Sequence, residues 1–405
     1  MTHGHERGWR PRSPIERLVA VLVAVLAVAS ALGMVLLWPS PASLSGPLGD
    51  PAEVLAAEVL AVATSEAEPD PLLEEVGGLS DLLVVTVRLL EGPDRGRVVE
   101  LEVFAEGFPE FAAGDRVSLL PADVPGSDVE FFITDFRRLP ALAWLVGGFL
   151  VAVVAVGRWH GVRSLLGLGI SLLVVVRFIV PAILAGSAPA TVALVGALAI
   201  MLVTLALTHG LNRMTLSAIA GTSGALVVTV IVGTIAIGRA KITGFASDEA
   251  VLATYAVEGL DLRGLVLAGL IIAALGVLDD VTVSQASTVF ALHDADPRQS
   301  WSTLVGRAMR VGRDHIASVV NTLFLAYAGA SLVLLVLFST GGLPIAELVN
   351  AEVIAEEIVK TVVGSLGLVL AVPLTTGLAA TLALAAPGRP DADVGTPVAP
   401  AMPTD

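Results

Sequence analysis

The chain has no cysteine, so it holds no disulfide, no zinc–thiolate site and no cysteine nucleophile. Charge is scarce as well: Asp, Glu, Lys and Arg make up 15% of its residues, against roughly a quarter in soluble globular chains. Aromatics amount to 5% and do not interleave with basic patches, so the usual footprint of nucleic-acid binding is missing. Also absent are a Walker phosphate loop, the HExxH pair of zinc hydrolases and the GxGD context of membrane aspartyl proteases. These absences predict a protein that is not an enzyme and that carries no cofactor and no metal.

What fills the space is apolar sequence. Hydrophobic residues make up 55% of the chain and the mean hydropathy is +0.85. Several runs of about 20 nearly uncharged residues are each long enough to cross a bilayer as a helix. Backbone polar groups find no water at that depth, so only helices or closed barrels can span. The runs here are continuous rather than alternating, which predicts helices. The fold class expected is therefore an α-helical polytopic membrane protein with about eight spans and one small β-rich domain.

Residues 1–17 form a basic N-terminus with Arg7, Arg10, Arg12 and Arg17, and residues 18–38 are the first apolar run. "AVA" at Ala27–Ala29 resembles a signal-peptide cleavage site. The run nevertheless continues to Trp38, which favours an uncleaved signal-anchor. Residues 45–137 differ in kind. "DLLVVTVRLLEG", "GRVVELEVFA", "GDRVSLLPAD" and "DVEFFITDF" are short β-rich runs punctuated by Gly, Pro and Asp. "AEVLAAEVLAVATSE" is a further strand or a helical lead-in, and "EGPDRGR" reads as a hairpin turn. Four or five strands in this space predict a small barrel, OB-like in kind.

Residues 140–386 are the membrane domain, with spans at 140–157, 163–184, 189–208, 215–237, 264–290, 316–338 and 362–385. One side collects the N-terminal arginines, Arg158, Arg163, Arg213, Arg298, Arg307, Arg310, Arg313 and Arg389. The other side's short loops hold only Arg239, Lys241, Arg263 and Lys360. By the positive-inside rule both termini are cytoplasmic and the β-rich domain lies outside. "LPIAELVNAEVIAEEIVK" (343–360) is acidic and weakly amphipathic, an outer helix leading into the last span. The tail at 387–405, rich in Pro, Ala and Asp, is expected to be disordered.

Two adjacent acids, Asp279 and Asp280, stand inside the apolar run 264–290. A carboxylate at the bilayer centre costs roughly 2.5–3.5 kcal/mol on insertion scales, so it faces protein or a wet cavity and marks a candidate functional site. Helical spacing puts Asp280, Ser284 and Ser287 on one face with Ala291, while Asp279 lies about 100° round. Gln285 points elsewhere. Neighbouring carboxylates in a low dielectric are fit to take and release a proton. The competing structural role is an ion pair with Arg177 or with the arginines near Arg313. In the next span Asp314, Ser318 and Asn321 or Thr322 share a face, and Asn321 is a candidate partner for the Asp280 stripe, although packing alone would also explain it. In "THGLNR" (208–213), His209 and Asn212 read as a turn with a cap. Pro373, Thr375 and Thr376 predict a kink satisfied by hydroxyls.

Four motifs in order carry a resemblance: "HGLNRMTLSAIAGT", "DLRGLVLAGLIIAALGVLDDVTVSQAS", "GRDHIASVVNTLFLAYAG" and "NAEVIAEEIVKTVVGSLGLVLAVPLTT". Over about residues 140–386 the chain resembles the YibE/F family of bacterial membrane proteins. The resemblance places the family's Asp on Asp280, followed by Ser284 and Ser287. It matches Arg313, Asp314, Asn321 and Thr322 in the following helix, and Asn350, Glu352 and Glu357 in the acidic segment. Asp279 is an addition to that pattern. The resemblance implies a multipass protein of the permease kind with no settled substrate.

The function expected is a proton- or cation-coupled transporter acting through Asp280, with Asp279 and Asn321 as neighbours and the outer domain as gate or receptor. The alternative is a non-transporting scaffold or assembly factor whose outer domain binds an envelope partner. Partners expected are the lipid bilayer, a proton or small cation, and either a second copy or an envelope protein; nucleic acid is not expected.

Overall fold

A computed structural model of the chain describes residues 13–39, 54–64, 82–104, 110–122, 130–342 and 344–385. Residues 1–12 of the basic N-terminus and the tail expected to be disordered lie outside the described residues. Two compact units divide the chain, residues 48–158 in one and residues 1–47 with 159–405 in the other.

Among the described residues the smaller unit carries five strands: β1 (Leu55–Thr64), β2 (Leu82–Leu89), β3 (Val98–Phe104), β4 (Arg116–Pro121) and β5 (Phe131–Phe136). Their alternation makes them strands. In β2, Val85, Val87 and Leu89 are buried at every second position, and in β4 Val117 and Leu119 are buried around Ser118. All pairings are antiparallel, in the order β3-β2-β1-β4-β5. Register shifts at Val59/Ala61 and at Ser118/Leu119 bend the sheet, as bulges do. The sheet curls, and Arg97 at the start of β3 pairs with Glu130 just before β5 at 2.7 Å. Phe111 closes the core and stacks on Phe136 at 5.1 Å. "EGPDRGR" is the β2–β3 turn, with Gly92 and Gly96 at φ 89° and 90°, a backbone region that glycine enters without steric cost. Within "AEVLAAEVLAVATSE", Leu55–Thr64 is strand β1.

Helices make up the rest: α1 (Pro14–Leu36), α2 (Leu139–Leu184), α3 (Pro189–His209), α4 (Arg213–Arg239), α5 (Asp248–Ala256), α6 (Leu262–Ala295), α7 (Trp301–Ala330), α8 (Leu332–Thr340), α9 (Ile345–Asn350) and α10 (Glu352–Leu384). α2 is interrupted at Arg158, at φ 49° and ψ −128°, and contains a π-helical turn at Val175–Ile179 just before Pro181.

The centre of the larger unit is α4, α6 and α10. α4 and α10 run antiparallel and very close: a Cβ on Gly221 would strike Thr375, one on Gly367 would strike Thr229, and one on Gly233 would lie 3.7 Å from Val363. Small residues let backbones approach this way where no hydrophobic force separates helix from lipid. α3 runs parallel to α6, with Pro189 against Gly264 at one end. α1 joins through Val19 and Val23 in the core and through Ser30 Oγ, which donates to the Val195 carbonyl at 3.2 Å. Its first turn is a capping box in which Ser13 and Glu16 satisfy each other's backbone N–H groups.

Among the described residues, six helices are long and apolar enough to cross a membrane: α1, α2, α3, α4, α6 and α10. The pair α7 and α8, bent by 59°, makes a seventh if taken as one span. The count of about eight treats α2 as two, divided at Arg158. The span expected at 316–338 also differs in shape, because its helix starts fifteen residues earlier at Trp301 and breaks at Ser331. The acidic segment expected as one outer helix breaks at Ala351 instead, so that Glu352 begins α10.

Candidate functional site

α6 buries one face and exposes the other. Leu278, Val281, Thr282, Gln285, Ala286 and Val289 point into the bundle, whereas Gly276, Asp280, Ser284 and Ser287 are exposed. Asp279 stands at the margin, half-buried, and its Oδ1 is buried without a hydrogen-bond partner among the described residues.

Both acids line a cleft of about 480 Å³ between α2, α3 and α6. Ser164 and Ser171 come from α2, and Thr204, Thr208 and His209 from the last turns of α3. The hydroxyls have a direction. Ser171 Oγ donates to the Gly167 carbonyl at 3.0 Å, Thr204 Oγ1 to Ile200 at 2.8 Å and Thr208 Oγ1 to Thr204 at 2.7 Å. Each spends its proton on its own helix, which leaves lone pairs for the cleft. With two carboxylates and no Lys or Arg in the lining among the described residues, the cleft is rich in acceptors and poor in donors. Such a lining suits a cation or a proton and repels an anion. Among the described residues no group of three His, Asp or Glu side chains is placed to hold a metal ion.

Thr204, which lines the cleft with Asp279, is fifteen residues from the start of α3. At 1.5 Å per residue that is about 22 Å along a helix which spans about 30 Å. The cleft therefore lies towards the His209 end of α3, while on α6 the acids stand near the middle, Asp279 being seventeen residues from the first of 34.

The other candidate residues fall elsewhere. Ser284 and Ser287 continue the exposed face of α6 past the cleft. Asn321 and Thr322 are exposed on α7, and Thr322 Oγ1 donates to the Ser318 carbonyl at 3.0 Å. The structure does not bring Asn321 to Asp280. α7 meets α6 through Gln285, about 140° round the helix from Asp280 by helical geometry. Arg177 is exposed on the π turn, Arg313 and Asp314 are exposed on α7, and among the described residues none of them pairs with Asp279 or Asp280. Asn212 is the cap of α4, accepting from the Thr215 N–H at 2.9 Å, while its neighbour in the turn, His209, lines the cleft.

Three polar contacts stand out that the spacing of residues does not announce. Gln285, set aside as pointing elsewhere, is buried: its Nε2 donates to the Ala308 carbonyl at 3.1 Å and to Thr376 Oγ1 at 2.7 Å, joining α6, α7 and α10. Glu352 Oε1 accepts from the N–H groups of Thr243 and Gly244 at 2.6 and 2.7 Å, fastening the loop after α4 to the start of α10. Glu16 pairs with Arg213 at 2.7 Å. The Ser-x-x-Glu pattern at Ser13–Glu16 marks Glu16 as a capping residue, but it does not point to Arg213.

Replacing Gln285 by Ala removes both interhelical bonds and leaves a cavity. Interhelical hydrogen bonds in membranes are worth about 0.6–1.7 kcal/mol each, and the lost packing adds to that. A loss of roughly 2–3 kcal/mol is expected in detergent unfolding, with Gln285→Leu losing less because it keeps the volume.

No curated protein and no solved structure matches the chain. A family model, YibE/F-like protein, matches residues 145–384, which includes every residue lining the Asp279–Asp280 cleft. Over that majority of its length, the chain is a member of the YibE/F-like protein family.

Proposed function

We propose that the protein is a membrane transporter coupled to protons or small cations, with the Asp279–Asp280 pair as its coupling site. One observation carries the reading. Two adjacent carboxylates share a cleft in which three hydroxyls, those of Ser171, Thr204 and Thr208, donate to their own helices and turn lone pairs to the cleft. Such a site favours positive charge whether it arrives as a proton or as an ion. Asp280 is the exposed member of the pair in the cleft, and Asp279 stands half-buried behind it. The protein crosses the plasma membrane of a bacterium eight times, α2 counting as two spans at Arg158, with both termini cytoplasmic by the arginine bias. The strand order supports an OB-like reading of the outer domain, which serves as gate or receptor. The reading assigns no enzymatic step.

The test is flux in liposomes carrying an internal pH dye under imposed ion gradients. Asp279→Asn and Asp280→Asn are each expected to lower proton movement at least tenfold, at unchanged abundance and monodispersity. The double Asn variant moving protons at the wild-type rate would sink the coupling role and leave the scaffold as the better account.

A further inference from the structure

A second cleft, of about 280 Å³, lies against the first two turns of α6. It is lined by Gly244, Leu265 and Gly269 with Glu356, Glu357 and Lys360 of α10. Lys360 Nζ pairs with Glu356 at 2.7 Å and with Glu357 at 2.8 Å, so two carboxylates share one ammonium and the cleft keeps an excess of negative charge.

The two clefts touch the same strip of α6. Leu265 and Gly269 line one, and Gly276, Asp280 and Val283 line the other. Residues seven apart drift by only about 20° round a helix, so Gly269, Gly276 and Val283 lie almost in line. The gap from Gly269 to Gly276 is about 10 Å. Only Ile272 and Ala273 occupy it on this side. Ile272 packs against the buried cluster of Phe178 and Ile179, which belongs to the π turn of α2. Ala273, like the glycines on either side, is exposed.

We propose that the two clefts are the opposite mouths of one cation path along α6, with Ile272 and Ala273 as its narrow middle. This rests on the Asp279–Asp280 cleft being the coupling site. The Glu356–Glu357–Lys360 cleft gathers cations at the far mouth. The narrow middle separates that mouth from the carboxylates, and the absence of a side chain at Gly269 and Gly276 keeps both approaches open.

The cysteine-free chain makes the test direct. A Cβ at Gly269 or at Gly276 meets nothing within 4 Å, so Gly269→Cys and Gly276→Cys fit without repacking. In sealed vesicles of defined orientation, a charged, membrane-impermeant maleimide is expected to label Gly269→Cys from one side only and Gly276→Cys only from the other. Ala273→Phe is expected to cut flux at least tenfold. Combined with Gly276→Cys in one protein, it is expected to leave labelling of that thiol unchanged, which shows that the fold survives. Labelling of both positions from one side, labelling of neither, or wild-type flux in Ala273→Phe would each overturn the path. Flux that ignores the Asp→Asn changes is a separate failure, since it removes the coupling site while the labelling pattern still judges the path.

Discussion

Gly221→Val is expected to keep the protein from accumulating in the membrane. A Cβ at Gly221 would overlap Thr375 Oγ1, stand 2.9 Å from Thr375 Cβ and lie 3.1 Å from Thr375 Cα. The last contact decides the outcome, because a side chain can rotate away and a backbone atom cannot. Relief requires α4 and α10 to separate along a seam that also includes Gly367 against Thr229. Overpacking a well-filled core typically costs about 1–3 kcal/mol. Here the separation also strains the Thr222–Thr282 contact of α4 with α6, at 2.6 Å, so the cost is placed at or above about 3 kcal/mol. Gly224 is the control on the same helix: its added Cβ would meet only Leu374 Cδ1, at 3.7 Å. Gly224→Ala should accumulate and elute like the wild type, and equal abundance of the two variants would contradict the seam.

Arg213→Met is expected to be nearly as damaging, for an electrostatic reason. Glu16 is fully buried and Arg213 is largely so, and they pair at 2.7 Å between the first turns of α1 and α4. Removing one partner of a buried pair leaves the other charge poorly compensated, at about 3–5 kcal/mol. Replacing both removes the attraction and the burial of charge together, and is often close to neutral. Glu16→Gln with Arg213→Met should therefore recover most of the stability lost in Arg213→Met, since Gln at that position still completes the capping box with Ser13. Unfolding midpoints of the two single variants and the double variant, read as a cycle, measure the coupling directly. Additive losses would show that the pair contributes no coupling.

Much of this architecture was legible. The β-rich segment, the turn at "EGPDRGR" and the apolar helices follow from alternation, turn residues and hydropathy, which are local properties. The face of α6 was harder to read. Spacing shows that Asp280, Ser284 and Ser287 share a stripe and that Gln285 does not. It does not show which stripe faces the core, because leucine, isoleucine and valine occur all round this helix. The buried polar side chains proved to be Thr282 and, with the longer reach, Gln285. Its partners, Ala308 and Thr376, lie on other helices, 23 and 91 residues away, beyond the reach of any periodicity. The break at Ser331 is similar: no proline marks it, and Gly329 lies two residues before it.

α10 is held at several heights. Glu352 grips the backbone of Thr243 and Gly244 at its first turn, Thr375 lies against Gly221, and Thr376 receives Gln285. From Glu352 to Thr376 is about 36 Å of helix. Sliding it by one turn, about 5.4 Å, would break all of these contacts together. α10, α4 and α6 thus form the stationary side of the bundle. The half of α2 beyond Arg158 is differently placed: the serines it gives to the cleft bond to no other helix among the described residues. Any widening of the cleft is cheapest in the first turns of α2 beyond Arg158, because its π turn is anchored by the buried Phe178 and Ile179, with the carboxylates of α6 staying where they are.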